Sequence, residues 1–285
     1  MLLLKNLVNF YAGGSAFLVC GGPSLTQLDL SLLKQRGVLV AAFNNVAAKT
    51  VYPNLWISSD PVGHFCDIIW RDPTILKFVP LSRMNNNIRV WEGDKLVEGP
   101  VVSSMPSLIW YDLRSGFIAD RWLYEPECVW GNEGANAGDA GYTGARSTML
   151  SAIKILFVLG IRTIYLLGAD FKMEVGKDNY AFPQARSRES VSHNNRTYEV
   201  LVKRFELLLP YFEKENFEIF NCNFQSNLRV FPFISYEEAL ERATFALPKE
   251  VNTFGMYNTP FPPRVPGKGV QRRELPEYRK KVRKY

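Results

Sequence analysis

The two histidines are the side chains of this 285-residue chain best suited to moving a proton near neutral pH. An imidazole that ionises near neutrality is the natural general base for a hydroxyl nucleophile. His193 lies in the polar segment SVSHNNRTY, just before a helix predicted to begin near Thr197, and this setting favours a catalytic role. His64 follows Asp60-Pro61 and a glycine, where capping or packing explains it. We therefore predict that His193 is the base.

The segment FLVCGGPSL, residues 17–25, predicts a strand, a tight turn and a capped helix. Gly21 and Gly22 let the backbone approach a ligand, and the free N–H groups at a helix start attract phosphate. Ser24 with Gln27 has the spacing of a capping box. Neither G-K-[ST] nor G-x-G-x-x-G is present here, which weakens a P-loop ATPase or classical dehydrogenase hypothesis. A purely structural turn is the alternative.

Asp60 and Asp170 each follow a predicted strand and are candidates to hold Mg²⁺ or a ribose hydroxyl. Helix capping or turn formation explains either residue equally well. The sequence contains no D-x-D motif, so Mg²⁺ is permitted but required by no motif.

Tyr180, in the segment NYAFP, is a candidate to contact a phosphate leaving group. Basic side chains suit the same role because they form charge-assisted hydrogen bonds with phosphate, although loop arginines are often merely solvated. The basic candidates are Arg146, Lys172, Arg186 and Arg188.

Short apolar runs alternate with helical patterns along the chain, which predicts an α/β fold: a Rossmann-like, mostly parallel sheet with helices on both faces. The predicted strands are residues 16–20, 38–43, 55–58, 163–167 and 217–222, and the predicted helices are residues 24–37, 147–159 and 198–216. Ligands of such sheets bind beyond the carboxyl ends of the strands. One rim of the sheet should therefore carry Gly21, Gly22, Asn44, Asp60, Asp170 and Asn221.

The chain divides by composition into a body, residues 1–248, and a Pro-rich basic tail, residues 249–285. Within the body, the weakly periodic stretches 92–144 and 172–195 are predicted to be an insertion and a lid loop. The tail has a net charge of +7 and the body −1, so the tail is a candidate to bind DNA or an anionic membrane, or it only aids solubility. The sequence has no run long enough to span a bilayer and no secretory cleavage pattern, which predicts a cytoplasmic protein. Four scattered cysteines without C-x-x-C spacing fit the same compartment.

A set of motifs, read in order, resembles one known family. The set is GPSL at the first turn, an Asn after the second strand, Ser-Thr opening a long helix, LGIRTIYLLGADF, NYAF, and HNNRT before a helix. Over roughly residues 15–240 this order resembles the bacterial sialyltransferases of glycosyltransferase family 42. The wider group includes pterin pyrophosphokinase-like proteins, and the closest match is to uncharacterised phage-encoded members.

The resemblance implies a nucleotide sugar, such as a CMP- or UDP-sugar, bound in the crevice under the lid. His193 would deprotonate the acceptor hydroxyl and Tyr180 would stabilise the departing phosphate. The residues implied in donor binding are Gly21, Gly22, Ser24, Asn44, Asp60, Ser147, Thr148, Asp170 and Lys172. The family has asparagines where Gly21 and Asp60 stand and a second phosphate-binding tyrosine where Lys172 stands. A lysine neutralises a leaving phosphate well.

These features together predict an inverting glycosyltransferase. The basic tail and the phage resemblance favour a hydroxymethylated pyrimidine of phage DNA as the acceptor, in the host cytoplasm, with the base exposed for reaction. Three alternatives stay open: a surface-glycan transferase similar to the sialyltransferases, an ATP-dependent pyrophosphokinase acting on a small alcohol with Mg²⁺ on Asp60 or Asp170, and a nucleotide-binding interaction protein.

Overall fold

A computed structural model describes residues 1–46, 50–65, 67–114, 116–126, 128–129 and 147–245. The predicted basic tail, Arg146 and the last part of the predicted insertion lie outside these residues.

An eight-stranded parallel sheet forms the centre of the described body. Its strands are β1 Ser15–Val19, β2 Val40–Phe43, β3 Leu55–Ile57, β4 Leu76–Pro80, β7 Leu108–Leu113, β8 Cys128–Val129, β9 Thr163–Leu167 and β10 Glu218–Asn221. Their order across the sheet is β10-β9-β1-β2-β3-β4-β7-β8. The strands from β2 to β8 are added on one side of β1, whereas β9 and β10 are added on its other side. The strand order therefore reverses between β1 and β9. Crevices at such switch points are where open α/β sheets bind ligands.

Successive residues of a strand point to opposite sides of the sheet. Apolar side chains on both sides are therefore buried, and helices cover both faces. The α-helices given by the described residues are α1 Asp67–Arg71, α2 Ala119–Trp122, α3 Thr148–Val158, α4 Arg188–Lys214 and α5 Tyr236–Thr244. Ala16 and Leu18 of β1 pack in the core that includes α3 and α4. Phe17 and Val19 pack in the opposite core with α1 and α5. The predicted α/β fold is confirmed. Among the described residues, no helix is long and apolar enough to cross a membrane.

Helix α3 lies at the centre of the body, and every one of its residues is buried. A helix that is apolar on nearly all sides is stable only when packed on all sides. The side chain of Ser147 caps its first turn by accepting a hydrogen bond from the Leu150 backbone N–H at 3.3 Å. Gly160, just beyond its end, has φ +94°, a backbone conformation that glycine adopts without strain. The predicted helix over residues 147–159 is confirmed within one residue at each end.

The helix predicted over residues 24–37 is wrong in type. Two short 3-10 segments, Pro23–Gln27 and Leu30–Lys34, occupy this stretch. Gly22 rather than Ser24 is the N-cap residue, and Gly22 has no side chain with which to cap. The Ser24 hydroxyl instead donates to Asp170, so the predicted capping box does not form.

Helix α4 begins ten residues earlier than predicted. The side chain of Ser187 accepts a hydrogen bond from the Ser190 N–H and caps the helix, with Glu189 in its first turn. His193 is therefore on a helix, and its predicted place in a loop is wrong. The final part of the predicted lid, from Arg188 to Asn195, is likewise helical. The first turns of α4 have a polar sequence because few of their residues contact the core, and such a sequence is also typical of a loop.

The stretch predicted as an insertion, residues 92–144, contains regular structure in its described part. β6 Lys95–Val101 pairs antiparallel with β5 Asn87–Glu92 as a separate hairpin. Leu108–Leu113, the strand β7, belongs to the main sheet rather than to an insertion. Its apolar and aromatic sequence, LIWYDL, is typical of a buried strand.

Lys77 on β4 is fully buried, which predicts an unusual pH dependence of stability. Its ammonium donates to the backbone carbonyls of Ile75 and Pro106, both at 3.0 Å, and to that of Asp72. Burial lowers the pKa of Lys77 to about 8, whereas the unfolded chain titrates near 10.4. Between these pH values the unfolded chain binds more protons than the folded one, so this lysine makes stability rise with pH.

We expect the free energy of unfolding of the wild type, relative to Lys77→Met, to increase by about 3 kcal/mol between pH 7.5 and pH 10.5. Denaturant titrations at both pH values measure this difference, and contributions from cysteines and tyrosines cancel because both proteins contain them. Lys95→Met, at the exposed start of β6, is the matched control and should show no such increase. A difference that does not change with pH would contradict the effect of burial on Lys77.

Candidate active site

A cavity of about 700 Å³ lies at the carboxyl ends of the strands, at the reversal between β1 and β9. Its walls come from the turns after β1, β2, β3 and β9, the first turn of α3, the early turns of α4, and the segment 172–187. Of the eleven residues that the sequence predicts for the site, nine line this cavity: Gly21, Gly22, Asn44, Asp60, Ser147, Thr148, Asp170, Lys172 and Tyr180. Ser24 and His193 are not among its lining residues.

Asp170 fastens the first turn to the rest of the site. Its carboxylate accepts the Ser24 N–H at 3.0 Å and the Ser24 hydroxyl, and it accepts the Asn223 side-chain amide at 2.8 Å. Phe171, directly after it, has φ +54°, which is strained for a bulky side chain. The ring of Phe171 stacks on Tyr198 at 4.8 Å between centroids and so holds this backbone in place. Asp170 therefore serves to position the turns after β1, β9 and β10.

The two glycines of the first turn are in close contact with the protein itself. A Cβ on Gly22 would lie 2.5 Å from the Gly168 carbonyl oxygen and 2.6 Å from the Asp170 carboxylate. A Cβ on Gly21 would lie 3.1 Å from the Tyr180 ring. The turn after β1 thus packs against the turn after β9 so tightly that only a hydrogen atom fits at Gly22.

Asn44 and Asn45, in the turn after β2, each have a buried side-chain oxygen with no hydrogen-bond partner among the described residues. Asn44 has φ +53°, and its backbone carbonyl accepts the Trp56 indole N–H at 2.9 Å. Asparagine tolerates this backbone conformation better than most residues, and such positions cluster at functional sites. A buried acceptor without a donor is costly, so these two oxygens are candidates to accept N–H or O–H groups of a ligand.

The first turn of α3 contributes to the cavity wall, because Ser147, Thr148 and Met149 all line it. The four N–H groups at a helix start lack intrahelical partners, and the Ser147 hydroxyl satisfies one of them. The helix dipole adds partial positive charge at this end. This wall therefore suits an anionic group such as a phosphate.

The segment 172–187, which contributes lining residues to the cavity, is held by specific hydrogen bonds. Asn195 of α4 donates to the Met173 carbonyl at 3.0 Å and accepts the Met173 N–H at 2.9 Å. The buried side chain of Asn179 bonds to the backbones of Glu174 and Lys177. The Ala181 N–H donates to the Gly21 carbonyl at 3.0 Å, which places the following part of the segment over the first turn.

Tyr180 and Arg186 form a polar pair on this segment. Arg186 donates to the Tyr180 hydroxyl oxygen at 2.7 Å and lies over its ring, with 5.1 Å from the guanidinium carbon to the centroid. The ring of Phe182 also stacks on that of Tyr180, at 5.2 Å between centroids. Because Arg186 supplies the donor to the tyrosine oxygen, the hydroxyl hydrogen is left to donate to a ligand.

Lys172 lines the cavity, but its ammonium forms an ion pair with Glu174 at 2.5 Å. The hydrogen bond from Lys172 also lowers the pKa of the Glu174 carboxyl. The predicted role of Lys172 in binding phosphate therefore requires exchange of this partner.

The two histidines occupy different places. His64 lines the cavity from the 3-10 segment Val62–His64, after β3. His193 is exposed on α4, where its backbone carbonyl accepts the Thr197 hydroxyl at 3.1 Å. Asn194, next to His193, and Thr197, one turn later, both line the cavity. His193 is thus at the edge of the helix face that contributes to the site.

Four lining residues of α4 escaped prediction from the sequence: Asn194, Thr197, Tyr198 and Leu201. Asn194, Thr197 and Tyr198 recur at helical spacing, and an α4 beginning at the Ser187 cap puts them on one face. Burial, with the nearby Tyr180 as a smaller cause, raises the pKa of Tyr198, so its phenol stays protonated and can donate. Burial likewise raises the pKa of the Cys20 thiol, which lines the same cavity and is a poor nucleophile in that form.

The described residues include no group of three or more histidines, cysteines, aspartates or glutamates placed to hold a metal ion. Asp60 and Asp170, the two predicted candidates for Mg²⁺, both line the cavity. The Asp170 carboxylate is engaged by three protein donors, so it fits a positioning role better than that of a metal ligand.

Comparisons with known proteins add little to this description. No family model matches the chain, and no curated protein matches it. Among solved structures, the MAf glycosyltransferase from Magnetospirillum magneticum AMB-1 is similar over 80% of this chain at 13% identity, with a TM-score of 0.41. This chain spans 35% of the length of that protein.

The sialyltransferase CstII from Campylobacter jejuni, in complex with a substrate analogue, cytidine-5'-monophosphate, is similar over 79% of this chain and 86% of its own. Its identity is 13% and its TM-score is 0.37. The sialyltransferase CST-II in complex with trisaccharide acceptor and CMP has a TM-score of 0.36 at 14% identity, over 78% of this chain and 86% of its own. These values are too low to indicate a shared activity.

Proposed function

We propose that the protein is an inverting glycosyltransferase that transfers a sugar from a nucleotide donor to an acceptor hydroxyl. The observation that carries this proposal is the cavity at the reversal between β1 and β9. It combines the start of α3, a polar Tyr180–Arg186 pair, and the Asn44 and Asn45 side-chain oxygens, which have no hydrogen-bond partner within the part of the chain that the structure describes. The motif order described from the sequence, which resembles glycosyltransferase family 42, supports the same function.

The donor phosphate is proposed to lie between the first turn of α3 and the Tyr180–Arg186 pair. Ser147 and Thr148, at the start of α3, line the cavity together with Arg186, which supplies positive charge. The oxygens of Asn44 and Asn45 are proposed to accept hydrogen bonds from the base or ribose of the nucleotide. Phosphate is thus recognised by donors and the nucleoside by acceptors.

In the proposed reaction, the acceptor oxygen forms a bond to the anomeric carbon while the bond from that carbon to the phosphate oxygen breaks. The electron pair leaves with the phosphate, which receives hydrogen bonds from Tyr180 and from the start of α3. The acceptor proton passes to the imidazole of His193, on the edge of the α4 face. Attack opposite to the leaving phosphate inverts the anomeric configuration.

A donor-binding assay tests this function. We expect a CMP-, UDP- or GDP-sugar to raise the melting temperature of the full chain, since a ligand at 100 times its Kd adds about 2.7 kcal/mol of stability. Tyr180→Phe removes only the hydroxyl and should reduce that shift. Tyr52→Phe, at an exposed tyrosine outside the cavity, is the matched control and should keep it.

Stabilisation by ATP alone, with no response to any nucleotide sugar, would overturn the glycosyltransferase proposal and favour the pyrophosphokinase alternative. The sequence suggests two acceptors, a hydroxymethylated pyrimidine in DNA and a surface glycan. To distinguish them, each is incubated with the protein and with the donor that stabilises it. The mass of the product identifies the acceptor.

A further inference from the structure

Two stacked aromatic rings, one exposed and the other half-buried, lie at the edge of the sheet that carries the cavity, outside the site described above. Phe224, in the loop that follows β10, is 61% exposed, and its ring stacks on that of Phe233 at 5.7 Å between centroids and 29° between planes. Neither ring lines the cavity. A large exposed aromatic side chain gains little from folding, so its place on a rigid surface calls for another explanation.

The loop that carries Phe224 is fixed to the site. Asn223, the preceding residue, donates to the Asp170 carboxylate at 2.8 Å. Ser226, fully buried, donates to the Ala169 carbonyl at 2.5 Å, and the Asn227 N–H donates to the Asp170 carbonyl at 3.0 Å. Phe224 thus lies between residues that bond to the turn after β9, the turn that also supplies Asp170 to the cavity.

The backbone on both sides of Phe233, the second ring, is also held by hydrogen bonds. The Asn221 N–H donates to the Pro232 carbonyl at 2.9 Å, and the Ile234 N–H donates to the Asn221 carbonyl at 3.2 Å. Phe233 lies between these two bonds, beside the end of β10. Because both rings are on fixed backbone, a partner would meet them already in place and would lose little conformational entropy on binding.

The chemistry around the rings indicates what the partner is. Residues 222–233 contain one basic side chain, Arg229, and no acidic one. Exposed amides flank Phe224 at Gln225 and Asn227. A surface for single-stranded nucleic acid combines aromatic rings with a strongly positive groove. Aromatic rings among neutral amides instead suit a sugar, whose C–H face packs on a ring while its hydroxyls bond to amides.

We propose that Phe224 and Phe233 form a platform for a sugar ring of a glycan acceptor. This inference rests on the proposed glycosyltransferase function and names its acceptor class: an uncharged or weakly charged glycan rather than DNA. The platform contacts the acceptor beyond the reacting hydroxyl, so it contributes to acceptor binding and not to the chemical step.

The test compares Phe224→Ala with Phe10→Ala in the full chain. Phe10 is a matched control because its ring is 62% exposed and it precedes β1, at the opposite edge of the sheet. A printed glycan microarray identifies the glycans that the wild type retains, and calorimetry then measures their affinity. We expect Phe224→Ala to weaken the retained glycan about 5- to 10-fold and Phe10→Ala to leave its affinity unchanged.

Four results would overturn the platform: no glycan retained, equal affinity in both variants, binding of a ten-nucleotide oligo(dT) that depends on Phe224, or a dimer of this chain that dissociates in Phe224→Ala. Stabilisation by nucleotide sugars is measured separately and does not involve Phe224. Glycan binding that depends on Phe224 without any donor binding would therefore overturn the proposed function but not the platform. Donor binding by the wild type, together with unchanged glycan affinity in Phe224→Ala, would overturn the platform but not the proposed function.

Discussion

Gly22→Ala is expected to lower the free energy of unfolding by about 3 kcal/mol and to abolish donor-induced stabilisation. The added methyl group would lie 2.5 Å from the Gly168 carbonyl oxygen and 2.6 Å from the Asp170 carboxylate. Neither neighbour can easily move, because the Gly22 N–H also donates to Gly168 at 2.9 Å and Ser24 holds Asp170. The turns after β1 and β9 must therefore separate, and the cavity between them changes shape. Denaturant titration measures the first effect and thermal shift with the donor measures the second.

Gly63→Ala is the matched control for this substitution. A Cβ at Gly63 would lie 3.4 Å from the Arg89 side chain, an ordinary contact with the flexible end of a long residue. We expect its stability to stay within about 0.5 kcal/mol of the wild type. If Gly22→Ala is as stable as Gly63→Ala, the close approach of the two turns is not what requires glycine at position 22.

His193→Ala is expected to lower kcat by about 10²- to 10⁴-fold while leaving the donor-induced thermal shift intact. A general base acts on the acceptor proton and makes little contact with the donor, so binding and turnover should separate. Initial rates at saturating donor, with donor binding followed in parallel, measure both.

Two further variants serve as controls for the His193→Ala result. Ser192→Ala, at the exposed residue next to His193, should keep full activity and reports any general disturbance of α4. His64→Ala tests the other histidine, which lines the cavity directly. Loss of turnover in His64→Ala with full activity in His193→Ala would assign the base to His64 and remove His193 from the mechanism.

Five of the eight strands of the main sheet were predicted, because β1, β2, β3, β9 and β10 are short apolar runs, whereas β4, β7 and β8 were not. Thr163–Leu167 was predicted to the residue, and α3 to within one residue at each end, since its Ser147 cap and Gly160 end are both local signals. The rim of the sheet followed from topology alone, because residues after parallel strands meet at one edge.

The errors arose where a side chain serves a distant part of the chain. Ser24 has the spacing of a capping residue, but it bonds to Asp170, and no local pattern shows such a partner. The first turns of α4 are polar and resemble a loop, which hid the cavity-facing residues Asn194, Thr197 and Tyr198. The Phe224 platform was missed because its position depends on bonds to the turn after β9.

The bonds of Asp170 also have a consequence for how the site comes into existence. Ser24 and Asp170 are 146 residues apart in the chain, and Asp170 and Asn223 are 53 apart. Contacts of such long sequence separation form slowly because the entropy cost of closing a long loop is met before the contact stabilises the chain. The cavity is therefore complete only after the first strand, the ninth and the tenth have assembled. Ligand binding should appear late in refolding, at the rate at which the whole sheet forms.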